Sequence, residues 1–225
     1  RISFVDNTTM VKIYYWPFLG RAGGAIRMLK EAGVDYEHVS DMGEMAQKCA
    51  AFGAPTGNLA PPVIEDGENI ISQSTAVTMY VGKKYGFEVP NGDDCKALQI
   101  MEDIKDLFES GLGKANEDAE KLKVYLNGDG TEKPSRFATF CTAIERNISG
   151  PFFFGEKMTY VDFYLANFYG NSADGMLRKF EAKTGVDIFA PYPKIMAIVK
   201  AIRGLESMKG NEMIDLPAQY GMKDE

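Results

Sequence analysis

Apolar residues in the first third of the chain come in short runs, and in the rest they recur at helical intervals. Val11-Lys12-Ile13-Tyr14-Tyr15 is β-branched and aromatic and reads as a strand, with Ile13 and Tyr15 on one face and Tyr14 on the other. Pro17 and Gly20 break it. Ala22, Ala25, Ile26, Leu29 and Ala32 then follow a helical spacing that Gly33 is placed to stop. Tyr36-Glu37-His38-Val39 suits a second short strand, giving a β-α-β unit whose crossover is normally right-handed. Residues 40–61 are rich in Gly, Pro and Ala, with a short helix expected around Met45–Ala51. Pro62-Val63-Ile64-Glu65 and Glu68-Asn69-Ile70-Ile71 flank Asp66-Gly67, a strong hairpin signal. Ser74 then precedes Ala76, Val77, Tyr80 and Val81, a helix ending near Gly86.

Strand signals fade beyond a stretch at 87–95 that carries Pro90, Asn91, Gly92, Asp93 and Asp94. Four helical stripes follow: Leu98, Met101, Ile104, Lys105 and Phe108; Phe137, Phe140, Cys141 and Ile144; Val161, Leu165 and Phe168; Ile195, Ile198, Val199, Ile202 and Leu205. Turn clusters at Asn127–Gly130 and Ser149-Gly150-Pro151 punctuate them. The expected organisation is an extension at 1–10, a mixed α/β domain at 11–86, a linker at 87–95, an all-α domain at 96–210 and a tail at 211–225.

Composition narrows the function. The 225 residues are enough for one large domain or two small ones, and a hydrophobic fraction of 45% supports real cores and argues against wholesale disorder. A net charge of −7 repels phosphate backbones and argues against nucleic acid as a partner. No apolar run reaches the ~20 residues of a membrane span. Cys49, Cys95 and Cys141 are widely spaced, with His38 the one histidine beside them, so neither a zinc site nor a disulfide framework is expected and a reducing compartment fits. Arg1 at the start is compatible with removal of a targeting segment, with trimming, or with a natural start at Met10.

Four local features carry candidate chemistry. Tyr14-Tyr15-Trp16-Pro17-Phe18-Leu19-Gly20-Arg21-Ala22 lies at a strand-to-helix turn, where a hydroxyl near a helix N-terminus suits an anion; a core-packed strand tyrosine is the plainer reading. Ala60-Pro61-Pro62-Val63 enters a strand, either as an ordinary Pro-rich loop or with a cis-proline that exposes backbone groups to an extended peptide. Ser72-Gln73-Ser74-Thr75-Ala76 opens a helix, with Ser74 as N-cap, a position that is structural or that holds a carboxylate. Thr159-Tyr160-Val161-Asp162 has capping-box spacing, with Met158 and Phe163 as a hydrophobic staple; its role is structural.

In this order the four features resemble the glutathione S-transferases, with the best likeness to the tyrosine-type sigma and mu classes over residues 10–205. The resemblance implies an N-terminal thioredoxin-like domain of α/β type followed by a C-terminal helical bundle, acting as a homodimer in the cytoplasm, or in an organelle after loss of a targeting segment. It implies glutathione as co-substrate, a small hydrophobic electrophile as second substrate, and neither a metal nor an organic cofactor. Tyr15 matches the tyrosine that donates a hydrogen bond to the glutathione sulfur. Pro62 matches the cis-proline, and Pro61 the residue before it, whose N–H holds the cysteinyl part. Gln73 and Ser74 match the pair that holds the γ-glutamyl end, and Arg21 a residue near the active site. The alternative implied is a non-catalytic relative serving as a structural or binding subunit.

Several positions depart from the pattern. Pro61 has no N–H to give. Gly23-Gly24 opens the first helix at a cost of up to ~1 kcal/mol per glycine. The family's lysine contact has only Lys48 as a candidate. Trp16 and Leu19 stand where thiol-exchange relatives carry cysteine, which argues against that chemistry.

Overall fold

The computed structural model describes residues 10–113, 119–172 and 187–209. The expected extension at 1–10 lies almost wholly outside them, and the expected tail at 211–225 entirely so.

Strand β1 (Val11–Tyr14) pairs in parallel with β2 (Tyr36–Val39) and antiparallel with β3 (Val63–Asp66), which pairs antiparallel with β4 (Asn69–Ser72), for a sheet order β2-β1-β3-β4. Helix α1 (Gly23–Glu31) makes the crossover between β1 and β2, and α3 (Ser74–Lys84) follows β4. The hairpin strands sit one residue later than the apolar pattern predicts. Pro62 has no N–H for the ladder, so β3 starts at Val63. Asp66 pairs directly with Asn69, which makes Gly67-Glu68 the loop, and Gly67 takes the φ of +61° that the turn demands.

The period-2 pattern of β1 splits its side chains between two cores. Val11, Ile13 and Tyr15 face the large core beneath α1 and α3, while Tyr14 joins Val39, Met45, Cys49 and Val63 on the other face. That second face is covered by α2 (Met42–Lys48). The helix starts three residues before the expected one because Asp41 caps it, its Oδ1 accepting from Glu44 N–H at 2.9 Å.

The rest of the described chain is helical: α4 (Asp94–Lys105), a π-helical segment Asp106–Gly113, α5 (Ala119–Asn127), α6 (Arg136–Arg146), α7 (Tyr160–Ser172) and α8 (Pro193–Arg203). Helix α4 buries Ala97, Ile100, Met101 and Ile104, and Leu98, counted in its stripe from the sequence, faces solvent. Helix α5 was not legible from the apolar pattern. Helix α7 is buried on every side from Tyr160 to Phe168, as a helix apolar all round must be, and it packs against α1, α3, α4 and α8. One continuous core therefore runs from the sheet through α1 and α3 into the helices. Each large side chain fully buried there contributes about 1.5–3 kcal/mol of transfer free energy.

The start of α7 is pinned by its cap. Asp162, fully buried, accepts from Thr159 N–H at 2.7 Å, from Thr159 Oγ1 at 2.9 Å and from Phe153 N–H at 3.0 Å. The carboxylate half of the expected capping box is present, and Asp162 also ties down the preceding loop. Met158 lies partly buried against the same core that holds Phe163.

Candidate functional site

The strand register gathers the sequence-predicted residues at one end of the sheet. Tyr14 faces Val63, and Val63 faces Ser72. One residue further, Tyr15, Pro62 and Gln73 leave three adjacent strands side by side, across about 10 Å. Arg21 lies in a 3-10 turn at Gly20–Ala22 just above them, and Pro61 precedes Pro62 through a cis peptide bond.

Tyr15 is 4% exposed. Its ring is wedged edge-on against Trp16 (5.0 Å between centroids) and Phe18 (5.6 Å). Its hydroxyl oxygen accepts from the backbone N–H of Arg21 at 2.9 Å. Among the described residues nothing accepts the hydroxyl proton, so a buried phenol donor is left over. Burial pushes the Tyr15 phenol above its ordinary value. The Arg21 amide and the Arg21 charge pull it back, and Glu109 pushes with the burial. Gly20 makes the arrangement possible: its φ is +41°, and a Cβ there would lie 2.5 Å from Tyr15 Oη.

The Arg21 side chain points to the helical part of the chain, its Nε 2.8 Å from Glu109 Oε1 in the π-helical segment. Burial raises the Glu109 carboxyl, and the neighbouring Arg21 opposes this. The pair bridges the mouth of the turn from the α/β side to the helical side.

The Gln73-Ser74 pair differs from the sequence expectation. Gln73, not Ser74, is the N-cap of α3. It is exposed, with φ +77° and no side-chain capping bond. Ser74 is the first helical residue and is 6% exposed. The next residue, Thr75, donates to Glu102 Oε1 at 2.9 Å and lies 3.1 Å from Tyr164 Oη. The helix start therefore docks onto α7 and α4 through hydroxyls, while Gln73 stands free at the surface.

Lys48, the candidate for the lysine contact, pairs with Glu65 and lies 5.2 Å over the Tyr14 ring, and Tyr14 Oη donates to the same carboxylate at 3.0 Å. His38 lies against the backbone of the tyrosine turn, Nε2 being 3.1 Å from Tyr15 O. Cys49 and Cys141 are buried and Cys95 is exposed, all three as free thiols. On the helical side, Phe108 is core, stacked on Phe168 and Phe189, and Tyr169 packs edge-on to Phe189.

One site residue went unnoticed in the sequence. Asn167, 1% exposed on α7, donates from Nδ2 to Gly20 O at 2.9 Å and accepts on Oδ1 from Arg27 Nη1 at 2.9 Å. Its only signal was an amide in a helix that, apart from the capping Asp162, is apolar from Tyr160 to Phe168. Gly23 leaves it room, since a Cβ there would lie 2.0 Å from Asn167 Oδ1.

Residues 99–210 match the family described as "Glutathione S-transferase, C-terminal domain". S-crystallin 2 of Octopus vulgaris is 24% identical over 167 residues, 67% of this chain and 75% of that protein. The monomeric glutathione S-transferase of the hookworm Necator americanus superposes with a TM-score of 0.58 at 25% identity, over 89% of this chain and 95% of its own. The glutathione S-transferase of Ascaris lumbricoides superposes with a TM-score of 0.65 at 19% identity, again over 89% and 95%. Residues 99–210 thus belong to the glutathione S-transferase C-terminal domain family, and together with the thioredoxin-like four-stranded sheet before them they give the chain the glutathione S-transferase fold.

Proposed function

We propose that this chain is a glutathione transferase in which Tyr15 stabilises the glutathione thiolate for attack on a small electrophile. One observation carries the reading: a buried phenol whose oxygen is already satisfied by the Arg21 amide and whose proton has no acceptor among the described residues. A buried donor without a partner costs about 1–3 kcal/mol, which a ligand acceptor at that point recovers. Family membership supports transferase activity in general.

The chemistry is quantitative. A free thiol titrates near 8.5, so only a few per cent is thiolate at neutral pH. A hydrogen bond to a charged acceptor is worth about 1.5–3 kcal/mol, enough to lower the thiol by about one to two pH units. The thiolate sulfur then forms a C–S bond at the electrophilic carbon and the leaving group departs with its electron pair, the thiol proton having gone to solvent. Gln73, exposed at the start of α3, and the first amides of that eleven-residue helix are placed for the γ-glutamyl carboxylate. The strand that begins after Pro62 runs beside them for the peptide backbone of glutathione. Homodimer formation and a cytoplasmic site of action belong to the same reading.

A second reading, a non-catalytic structural or binding subunit, is favoured by Pro61, which offers no N–H where the cysteinyl part of glutathione would take one. The deciding measurement is the rate of glutathione conjugation to a chloronitrobenzene, wild type beside Tyr15→Phe. The expected result is turnover by the wild type and a loss of about tenfold to a hundredfold in kcat/KM for Tyr15→Phe. A wild type that does not exceed the uncatalysed rate selects the second reading.

A further inference from the structure

The peptide group between Gly20 and Arg21 is held at both ends. Its N–H donates to Tyr15 Oη at 2.9 Å, and its carbonyl oxygen accepts from Asn167 Nδ2 at 2.9 Å. Arg27 Nη1 donates to Asn167 Oδ1, also at 2.9 Å. The three bonds run in one direction, from guanidinium to amide to peptide to phenol oxygen. We propose that Asn167 is a positioning residue for Tyr15: it fixes the plane of the Gly20–Arg21 peptide and so aims the Arg21 amide at the phenol oxygen.

Several features support this. Asn167 and Arg27 are 1% and 5% exposed, so neither bond competes with bulk water. The guanidinium can only donate, which turns the Asn167 side chain so that its oxygen meets Arg27 and its NH₂ meets Gly20. Bonds in such a chain polarise one another, and each donor aimed at the phenol oxygen favours the phenolate and sharpens the O–H as a donor. Space is reserved for the relay at two glycines: a Cβ at Gly23 would sit 2.0 Å from Asn167 Oδ1, and one at Gly20 would sit 2.5 Å from Tyr15 Oη. Asn167 comes from α7, so the helical part of the chain sets the conformation of a turn in the α/β part. The charged and titratable groups around Tyr15 are Arg21 and Glu109, paired with each other, and His38 at its carbonyl oxygen. Asn167 does not titrate, so Asn167→Ala leaves those charges in place and adds none.

The catalytic meaning of the inference rests on the thiol-activating reading of Tyr15; the effect on Tyr15 itself does not. The test is a pH titration of the Tyr15 phenol by ultraviolet difference absorbance, with Tyr15→Phe as the blank, in the wild type, Asn167→Asp and Asn167→Ala. Asn167→Asp keeps an oxygen for Arg27 and replaces the donor to Gly20 by an acceptor. The Tyr15 titration is expected to move up by about half a unit to one unit in both variants, the size of one lost hydrogen bond to the phenol oxygen. The thiolate absorbance of bound glutathione is expected to follow it upward, with kcat falling and KM for glutathione little changed. Superimposable Tyr15 titrations in the folded variants overturn the proposal. Amide exchange in the wild type gives an answer that needs no variant: the Arg21 N–H must be protected, and rapid exchange there also overturns it. If Tyr15→Phe leaves the bound thiol's titration unmoved, thiol activation by Tyr15 fails, while the phenol titrations still decide the role of Asn167.

Discussion

Replacing Asp162 by Asn changes one atom of a fully buried side chain, and the structure gives its cost. The carboxylate accepts from Thr159 N–H, Thr159 Oγ1 and Phe153 N–H at 2.7, 2.9 and 3.0 Å. Asparagine keeps one oxygen, which can serve Phe153. Its NH₂ then faces the Thr159 N–H, which is left buried and unpaired, while the Thr159 hydroxyl can turn to accept. One orphaned amide at about 1–3 kcal/mol, plus the loss of charge assistance on the remaining bond, gives a destabilisation of about 2–4 kcal/mol. The pH dependence has a definite sign. Burial pushes the Asp162 carboxyl from its ordinary 3.8 up to about 6, against the opposing hydrogen bonds from Phe153 and Thr159. An acid raised on folding binds its proton more tightly in the folded state. Its contribution to stability is therefore full below the unfolded value and is lost as pH rises through about 6. Between pH 8 and pH 5 this amounts to about 1.4 kcal/mol. Asparagine does not titrate, so the gap between wild type and variant should widen by about that much on acidification. Urea unfolding of both proteins at pH 8 and pH 5, with m-values compared, measures it. A gap under about 1 kcal/mol at pH 8, or one that narrows at pH 5, refutes the reasoning.

Two glycine substitutions probe the tyrosine turn. On propensity alone Gly23→Ala should stabilise α1 by about 0.5–1 kcal/mol. With a Cβ at 2.0 Å from Asn167 Oδ1 and 2.9 Å from Leu19 Cβ, it should instead destabilise by about 1–3 kcal/mol, and a rise in Tm would contradict the packing described. Gly20→Ala must leave φ +41° or strain there, at about 1–2 kcal/mol, and must displace the Tyr15 ring. Its conjugation rate should fall at least as far as that of Tyr15→Phe while the protein still melts cooperatively, and a near-native rate would show that Tyr15 Oη is not held where Gly20 places it.

Much of the fold was legible because its signals were local. The strand at Tyr36–Val39, the Gly33 stop, the Asp-Gly hairpin and the Asp162 cap each depend on residues a few positions apart. Where the reading slipped, a neighbour from elsewhere or a missing donor decided. Asp41 pulled the start of α2 forward, Pro62 delayed β3, and Leu98 turned outward because α4 buries the face of Ala97 and Met101. Ser74 looked like an N-cap on local chemistry. The helix begins at Ser74 itself, and the residue after it, Thr75, lies 3.1 Å from the hydroxyl of Tyr164, 89 positions away in a helix whose sequence announces only burial.

The Gly23-Gly24 pair shows why a site can be half visible in a sequence. Read along the chain, two glycines opening a helix are a local weakness. Read across the fold, they are the surface on which α7 lies: Gly23 admits the Asn167 amide, and a Cβ on Gly24 would lie 3.2 Å from Thr78 Oγ1 and 3.7 Å from the backbone of Tyr164. The helix gives up propensity so that α7 can reach the Gly20 carbonyl. Tyr15 could be named from the pattern around it because that pattern is contiguous. Asn167 could not, since it lies 147 residues from Gly20, the turn whose carbonyl it holds. The phenol and the amide that aims its hydrogen-bond donor thus come from just past the first strand and from α7, far apart in sequence. A change in α7 packing should therefore reach the chemistry of Tyr15 before it reaches the sheet that carries it.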